Sequence, residues 1–239
     1  MPSFKKEIIS LIELGKNNKD VEYSANSMYI HLKHLLEIKH NTSIAYPVPI
    51  DKHGQIKLIT CSERQEYKEY IHDIISETEI TLIPLIIVLD NVNHTICLVY
   101  RRRKQIVEYY DPIGKTIANI NSFLDFLELN PKKILSPENI HLKTYELISS
   151  ISNKGTCTLC CLLVMDFILS HQQMSLKEIL NLINMHIGDG SNNLSKGYLV
   201  YLRNQLSSPI VTILKLSNHT DSDYSNLILQ LVKLKINCP

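Results

Sequence analysis

The sequence predicts an α+β fold: a central, mainly antiparallel sheet flanked by helices. Three observations predict it. The run Glu79 to Asp90 is apolar and rich in β-branched residues, and two shorter runs of the same character follow at 94–100 and 105–110. The segments before it carry apolar residues at helical spacing. The segment after it, Thr156 to Ser170, is apolar nearly all round, as expected of a buried helix. Helices, then strands, then helices give an α+β layout rather than an alternating one. Hydrophobic residues make up 44% of the 239 and charged residues 21%, an ordinary globular composition. The expected organisation is one compact domain. It has a helical and loop region at 1–78, a core of strands and apolar helix at 79–175, and a helical region at 176–239.

Each element has a local reason. Residues 4–16 have helical spacing, with Gly15 as a stop. From Ser24 to Ile38, Ser24 is a candidate cap and Met28, Leu32, Leu35 and Leu36 a candidate buried stripe. Pro47, Pro49 and Gly54 mark Asn41 to Thr60 as loop with short strands. Ser62 to Ser76 reads as a helix capped by Ser62, with Glu63 and Glu66 favouring its first turn. Arg101 to Lys104 reads as a solvated hairpin turn between strands 94–100 and 105–110. Tyr109 and Tyr110 alternate across the second of these, one to the core and one toward the open side. Asp111-Pro-Ile-Gly114 is a turn that ends that strand. Asn121 to Leu129, Ser175 to Ile187 and Leu194 to Leu206 read as helices, the last two separated by a Gly188-Asp-Gly190 turn. A β-like run and a final amphipathic segment follow Pro209.

Charge excludes some functions. With 25 basic and 24 acidic residues the formal net charge is +1, so no global field recruits nucleic acid or an anionic membrane. No apolar run approaches the roughly 18 residues of a membrane span; the longest, Ile80 to Leu89, carries Pro84. Met1 to Lys19 is charged throughout and lacks a signal-like apolar core. Six cysteines occur, at 61, 97, 157, 160, 161 and 238, without framework spacing. Free thiols in a reducing compartment, in a soluble protein, are the expectation. Cys157-x-x-Cys160 has no second ligand pair for zinc, so neither metal nor cofactor is expected.

One constellation carries chemistry. Thiol hydrolysis needs a thiolate, a base and a group that orients the base, with amide donors for the oxyanion. A thiol at a helix N-terminus gains from the dipole and from free N–H groups. Cys157 holds that position, at the start of the 156–170 helix. His94 opens one strand of a hairpin and Asp111 ends the next, seventeen residues on. The two are therefore neighbours at one end of the sheet. Cys160 and Cys161, further along the helix, read as core.

The text His94-TICLVYRRRKQIVEYY-Asp111-PIG, followed by Asn153-KGT-Cys157-TLCCLLVM-Asp166-Phe167, resembles the clan CE cysteine proteases. That superfamily includes the proteases of SUMO and ubiquitin-like proteins, adenovirus-type proteases and bacterial effector deubiquitinases. The resemblance covers roughly residues 80–170. It implies a papain-like arrangement with the catalytic cysteine at a helix N-terminus, and a triad of Cys157, His94 and Asp111. The implied function is a thiol protease of the isopeptidase type, a deubiquitinase-like enzyme that removes ubiquitin or a ubiquitin-like modifier from conjugates. Where the family has Trp after the histidine, this chain has Thr95. Where it has an oxyanion Gln there is Ile151, flanked by Ser150 and Ser152. Asn153, Ser152 and Thr95 are the nearest candidates for oxyanion or substrate contacts. Three alternatives go with the same resemblance: a YopJ-type acetyltransferase, a viral-type endopeptidase and a modifier-binding pseudoprotease. The acetyltransferases have Glu at the position of Asp111. Usage rich in Lys, Ile and Asn fits an AT-rich genome, that of a large virus or of an intracellular bacterium whose secreted effector works in a host cytoplasm.

Overall fold

A computed structural model describes residues 2–17, 33, 35–57, 60–89, 93–114, 118–136, 156–187, 194, 197–198 and 200–202. The elements in order are α1 (Pro2–Asn17), β1 (Val48–Ile50), α2 (Cys61–Glu77), β2 (Ile80–Val88), β3 (Asn93–Arg101) and β4 (Ile106–Tyr110). They continue with α3 (Ile120–Phe126), β5 (Lys133–Leu135), α4 (Thr156–Ser170) and α5 (Leu176–Ile187). The fold is α+β, with an open five-stranded sheet ordered β1-β2-β3-β4-β5. Its centre is antiparallel, β2 on β3 and β3 on β4; the short edge strands β1 and β5 each add a parallel pair. The described residues fall into two compact units. One lies within Met1–His40, Pro112–Gly114 and Ile140–Asn218, the other within Asn41–Asp111, Lys115–Asn139 and His219–Pro239.

The second unit is built on the sheet. Strand β2 is buried along most of its length, as its unbroken apolar run requires. Helix α2 buries Tyr67, Tyr70, Ile71, Ile74 and Ile75, a stripe at helical spacing. That stripe shares one core with Ile83, Leu85, Ile87, Ile96, Leu98, Val107 and Tyr109 of the sheet and with Ile120, Phe123 and Leu124 of α3. The cap of α2 is Thr60, not Ser62. The Thr60 hydroxyl accepts from the Glu63 amide, and the Glu63 carboxylate accepts from the Thr60 amide. The reason is the Thr-x-x-Glu spacing, a capping box in which each end satisfies the other's orphan donor. Gly54, at φ +78°, lets the loop after β1 pass the start of α3; a Cβ there would lie 2.0 Å from the Asn119 carbonyl oxygen.

The first unit is helical. Helix α5 packs on both α1 and α4. The Phe4 ring of α1 meets Phe167 and His171, at 4.9 and 4.8 Å between centroids. Helix α4 spans the predicted residues, and Leu159 to Leu169 are buried without a break. Leu36 is buried and Leu35 half-buried on a helical stretch at 35–40; Ser24, Met28 and Leu32 lie outside the described residues. Of the predicted 194–206 helix, the described residues are helical. The 188–190 turn and everything predicted after Pro209 lie outside the described residues. Among the described residues, no helix is long and apolar enough to cross a membrane.

Asp166 anchors this unit. Its carboxylate accepts from Lys39 Nζ at 2.9 and 3.1 Å and from the Tyr198 hydroxyl at 3.2 Å, and lies 2.6 Å from His40 Nε2. Burial pushes the Asp166 carboxyl up, but the His40 and Lys39 contacts outweigh it and hold it below its ordinary 3.8. A carboxyl lowered on folding stabilises the native state fully above its unfolded value and loses that contribution as pH falls through the folded one. Asp166→Asn is therefore expected to lower stability by about 2–3 kcal/mol at neutral pH, since it removes the charge that the half-buried Lys39 ammonium and the Tyr198 hydroxyl bind. Thermal unfolding of variant and wild type across pH should show the gap closing below about pH 4. A gap that is constant with pH would count against the ion cluster.

Candidate active site

Strand β3 fixes His94. It pairs with Ile87 of β2, so its backbone is held by the ladder although it is only the second residue of the strand. The β3–β4 ladder ends at Cys97 opposite Tyr110. One step further, the register sets Asp111 opposite Ile96, two residues from His94 and on the same face. The two are thus diagonal cross-strand neighbours, a separation that side chains span. His94 Nε2 lies 2.7 Å from Asp111 Oδ1. Pro112 follows at once and has no amide to continue a ladder. The Tyr109 hydroxyl, two residues back on the same face, makes a long 3.4 Å contact to Asp111 Oδ2. Tyr109 and Tyr110 are both buried, so neither is the exposed one expected.

His94 and Asp111 are 3% and 1% exposed, so water barely screens their contact. Asp111 occupies Nε2. Holding one nitrogen against a carboxylate selects the tautomer. Strand alternation sends Thr95 to the opposite face of the sheet from His94. It is buried there and paired in the ladder with Ile86.

The basic stretch is the exposed turn its composition suggests at Arg102 to Lys104, but not at Arg101. Arg101 ends β3, is buried, and its Nε donates to Glu108 at 2.7 Å. It lies diagonal to Glu108 on the face opposite His94. Arg102 donates to the carbonyls of Ile75 and Ser76 in the last turn of α2, where a cation meets the negative end of the dipole. The signal missed was Glu108, two steps of register from Arg101.

In the other unit, Cys157 stands in the first turn of α4 and is half-buried. Cys160 and Cys161 are buried, as expected of core thiols, and all five described cysteines are free. Burial pushes the Cys97 thiol far above its ordinary range. Cys61 is exposed; Cys238 lies outside the described residues, as do Ser152 and Asn153. A rival imidazole–carboxylate pair exists in the same unit as Cys157, namely His40 with Asp166. Asp166 is nine residues beyond Cys157 on α4, about 13 Å along the axis and half a turn round, so that pair faces away from the thiol. Among the described residues no group of acidic, His and Cys side chains could hold a metal ion. No protein-family model matches the chain, and a search of curated proteins finds no match.

Burial sets the thiol chemistry apart. Brief alkylation of the native protein with iodoacetamide should modify Cys61 and Cys157 and spare Cys97, Cys160 and Cys161 until the chain unfolds. Peptide mapping reads the order. Reaction at Cys160 or Cys161 before Cys157 would rule out the half-buried helix start as the accessible thiol.

Proposed function

We propose that the protein is a thiol hydrolase of the isopeptidase type, acting on conjugates of ubiquitin or a ubiquitin-like protein. In this reading Cys157 is the nucleophile, His94 the base and Asp111 the group that positions the imidazole. The observation that carries it is the buried 2.7 Å contact between His94 and Asp111 at the end of the hairpin. The half-buried thiol in the first turn of an apolar helix, in the family's chain order, supports it further.

The chemistry follows from those groups. His94 takes the Cys157 proton at Nδ1, and the thiolate attacks the carbonyl carbon of the scissile amide. Backbone amides in the first turn of α4 are oriented to stabilise an oxyanion. The imidazolium, held by Asp111, then protonates the leaving amine, and a thioester to Cys157 remains. Water, deprotonated by His94, cleaves the thioester and restores the thiol. An aspartate rather than a glutamate at 111 favours this hydrolytic reading over acyl transfer in the manner of the YopJ group, which has Glu there.

A panel of ubiquitin-like proteins with C-terminal electrophiles tests the reading. At least one is expected to form an adduct, mapped to Cys157 and absent in Cys157→Ala. Adducts on Cys61 or Cys160 instead, or none across the panel, would refute it. For the conjugate that is cleaved, Asp111→Asn should lower kcat on the order of hundreds-fold or more and leave KM nearly unchanged. The Asn amide presents the wrong tautomer partner while keeping the shape. Turnover near the wild-type level in Asp111→Asn would mean that another group orients His94.

A further inference from the structure

Helix α4 brings a second thiol under the first. Cys157 and Cys160 stand three residues apart, at its start. In a regular helix their Cα atoms are about 5 Å apart, inside the Cα range of disulfides; their Cβ atoms, about 5–6 Å apart, need a small shift at the helix end to close the bond. Helical side chains lean toward the N-terminus, so the Cys160 sulfur tilts toward Cys157. Cys161, one residue on, is about 6 Å from Cys157 between Cα atoms and is 0% exposed against 5% for Cys160. Cys157 is the half-buried member, so an oxidant reaches it first and Cys160 lies behind it. Cys61, the exposed thiol, belongs to the other unit.

We propose that Cys157 and Cys160 form a reversible disulfide under peroxide, with Cys157 as the oxidised thiol and Cys160 as the resolving one. The Cys157 thiolate attacks one peroxide oxygen; the O–O bond breaks, hydroxide leaves and Cys157 becomes a sulfenic acid. The Cys160 sulfur then attacks the Cys157 sulfur. The S–O bond breaks, the oxygen leaves as water with the Cys160 proton, and an S–S bond remains. Each peroxide is reduced by two electrons, and the two thiols are oxidised by two. Such a bond withholds the nucleophile while it lasts and protects it from the sulfinic acid, which ordinary thiols do not reverse. The effect on turnover rests on the hydrolase reading; the bond itself does not.

The test treats the full chain with near-stoichiometric hydrogen peroxide, alkylates without reduction and maps the peptides by mass. A Cys157–Cys160 crosslink, lost on adding dithiothreitol, is expected. In Cys160→Ala the same treatment should leave Cys157 as a sulfenic acid that captures dimedone, then pass to the sulfinic acid that dithiothreitol does not restore. Circular dichroism of Cys160→Ala checks that it folds, and the wild-type map stands without it. A crosslink to Cys161 or Cys61 would overturn the proposal. So would direct sulfinic oxidation of Cys157 in the wild type at the rate seen in Cys160→Ala. The mass readout needs no substrate. A crosslinking protein that no ubiquitin-like electrophile labels loses the hydrolase reading alone; a labelled protein that never crosslinks loses only the disulfide.

Discussion

The register of β3 on β4 is the constraint on which the candidate site depends. Side chains alternate faces along a strand, so a slip of one residue would send His94 and Asp111 to opposite sides of the sheet. Two diagonal pairs oppose such a slip. His94 with Asp111 lies at one end of the hairpin and on one face; Arg101 with Glu108 lies toward the other end and on the other face. A single slip would separate both and strand four buried ionisable groups, a far larger penalty than any backbone pairing recovers. Arg102, donating to the last carbonyls of α2, ties the turn to the helix that covers the core. The hairpin is thus fixed at its turn as well as along its ladder.

Helix α4 is organised by a gradient of burial. Its middle is sealed on every side, and there cysteines behave as small apolar residues. Its first turn is only partly covered, and the thiol there keeps access to reactants. Asp166 is held by Lys39, His40 and Tyr198. That cluster binds the later turns of the helix to two other segments of its unit. The acidic-aromatic pair Asp166-Phe167 is therefore explained by packing: the carboxylate gathers cations, and the ring stacks with Phe4 and His171.

Much of this was legible in the sequence because the signals were long or redundant. A β-branched run as long as β2, and an apolar run as long as α4, leave little choice of element. The His94–Asp111 contact was legible from strand ends alone, although the pair is diagonal rather than directly opposed; side-chain reach forgives a step of two residues. What escaped was local or relational. Strand β5 has three residues and no alternation to read. The cap at Thr60 was hidden by an adjacent serine that also suits a cap. The burial of Arg101 depends on Glu108 two steps of register away, a relation visible only once the register is known. Tyr109 beneath Asp111 belongs to the same class: an even spacing along a strand places it, but nothing in its type announces a carboxylate partner.

Buried ion pairs are not by themselves signs of activity, and three groupings among the described residues make the point. Their chemistry separates them. Arg101 is permanently charged, so its pairing with Glu108 can lock a register but cannot exchange a proton. Asp166 divides its charge between a lysine and a histidine and receives a tyrosine hydroxyl; its carboxylate is saturated by anchoring. Asp111 holds an imidazole on one oxygen, with a long tyrosine contact on the other. Desolvating a carboxylate to hold an imidazole is a poor way to stabilise a strand end, where an apolar pair of equal volume would serve as well or better. It is an effective way to fix one imidazole nitrogen and present the other. The same burial that makes the pair an inefficient bolt makes it an efficient orienter, because little solvent competes for the hydrogen bond that sets the tautomer.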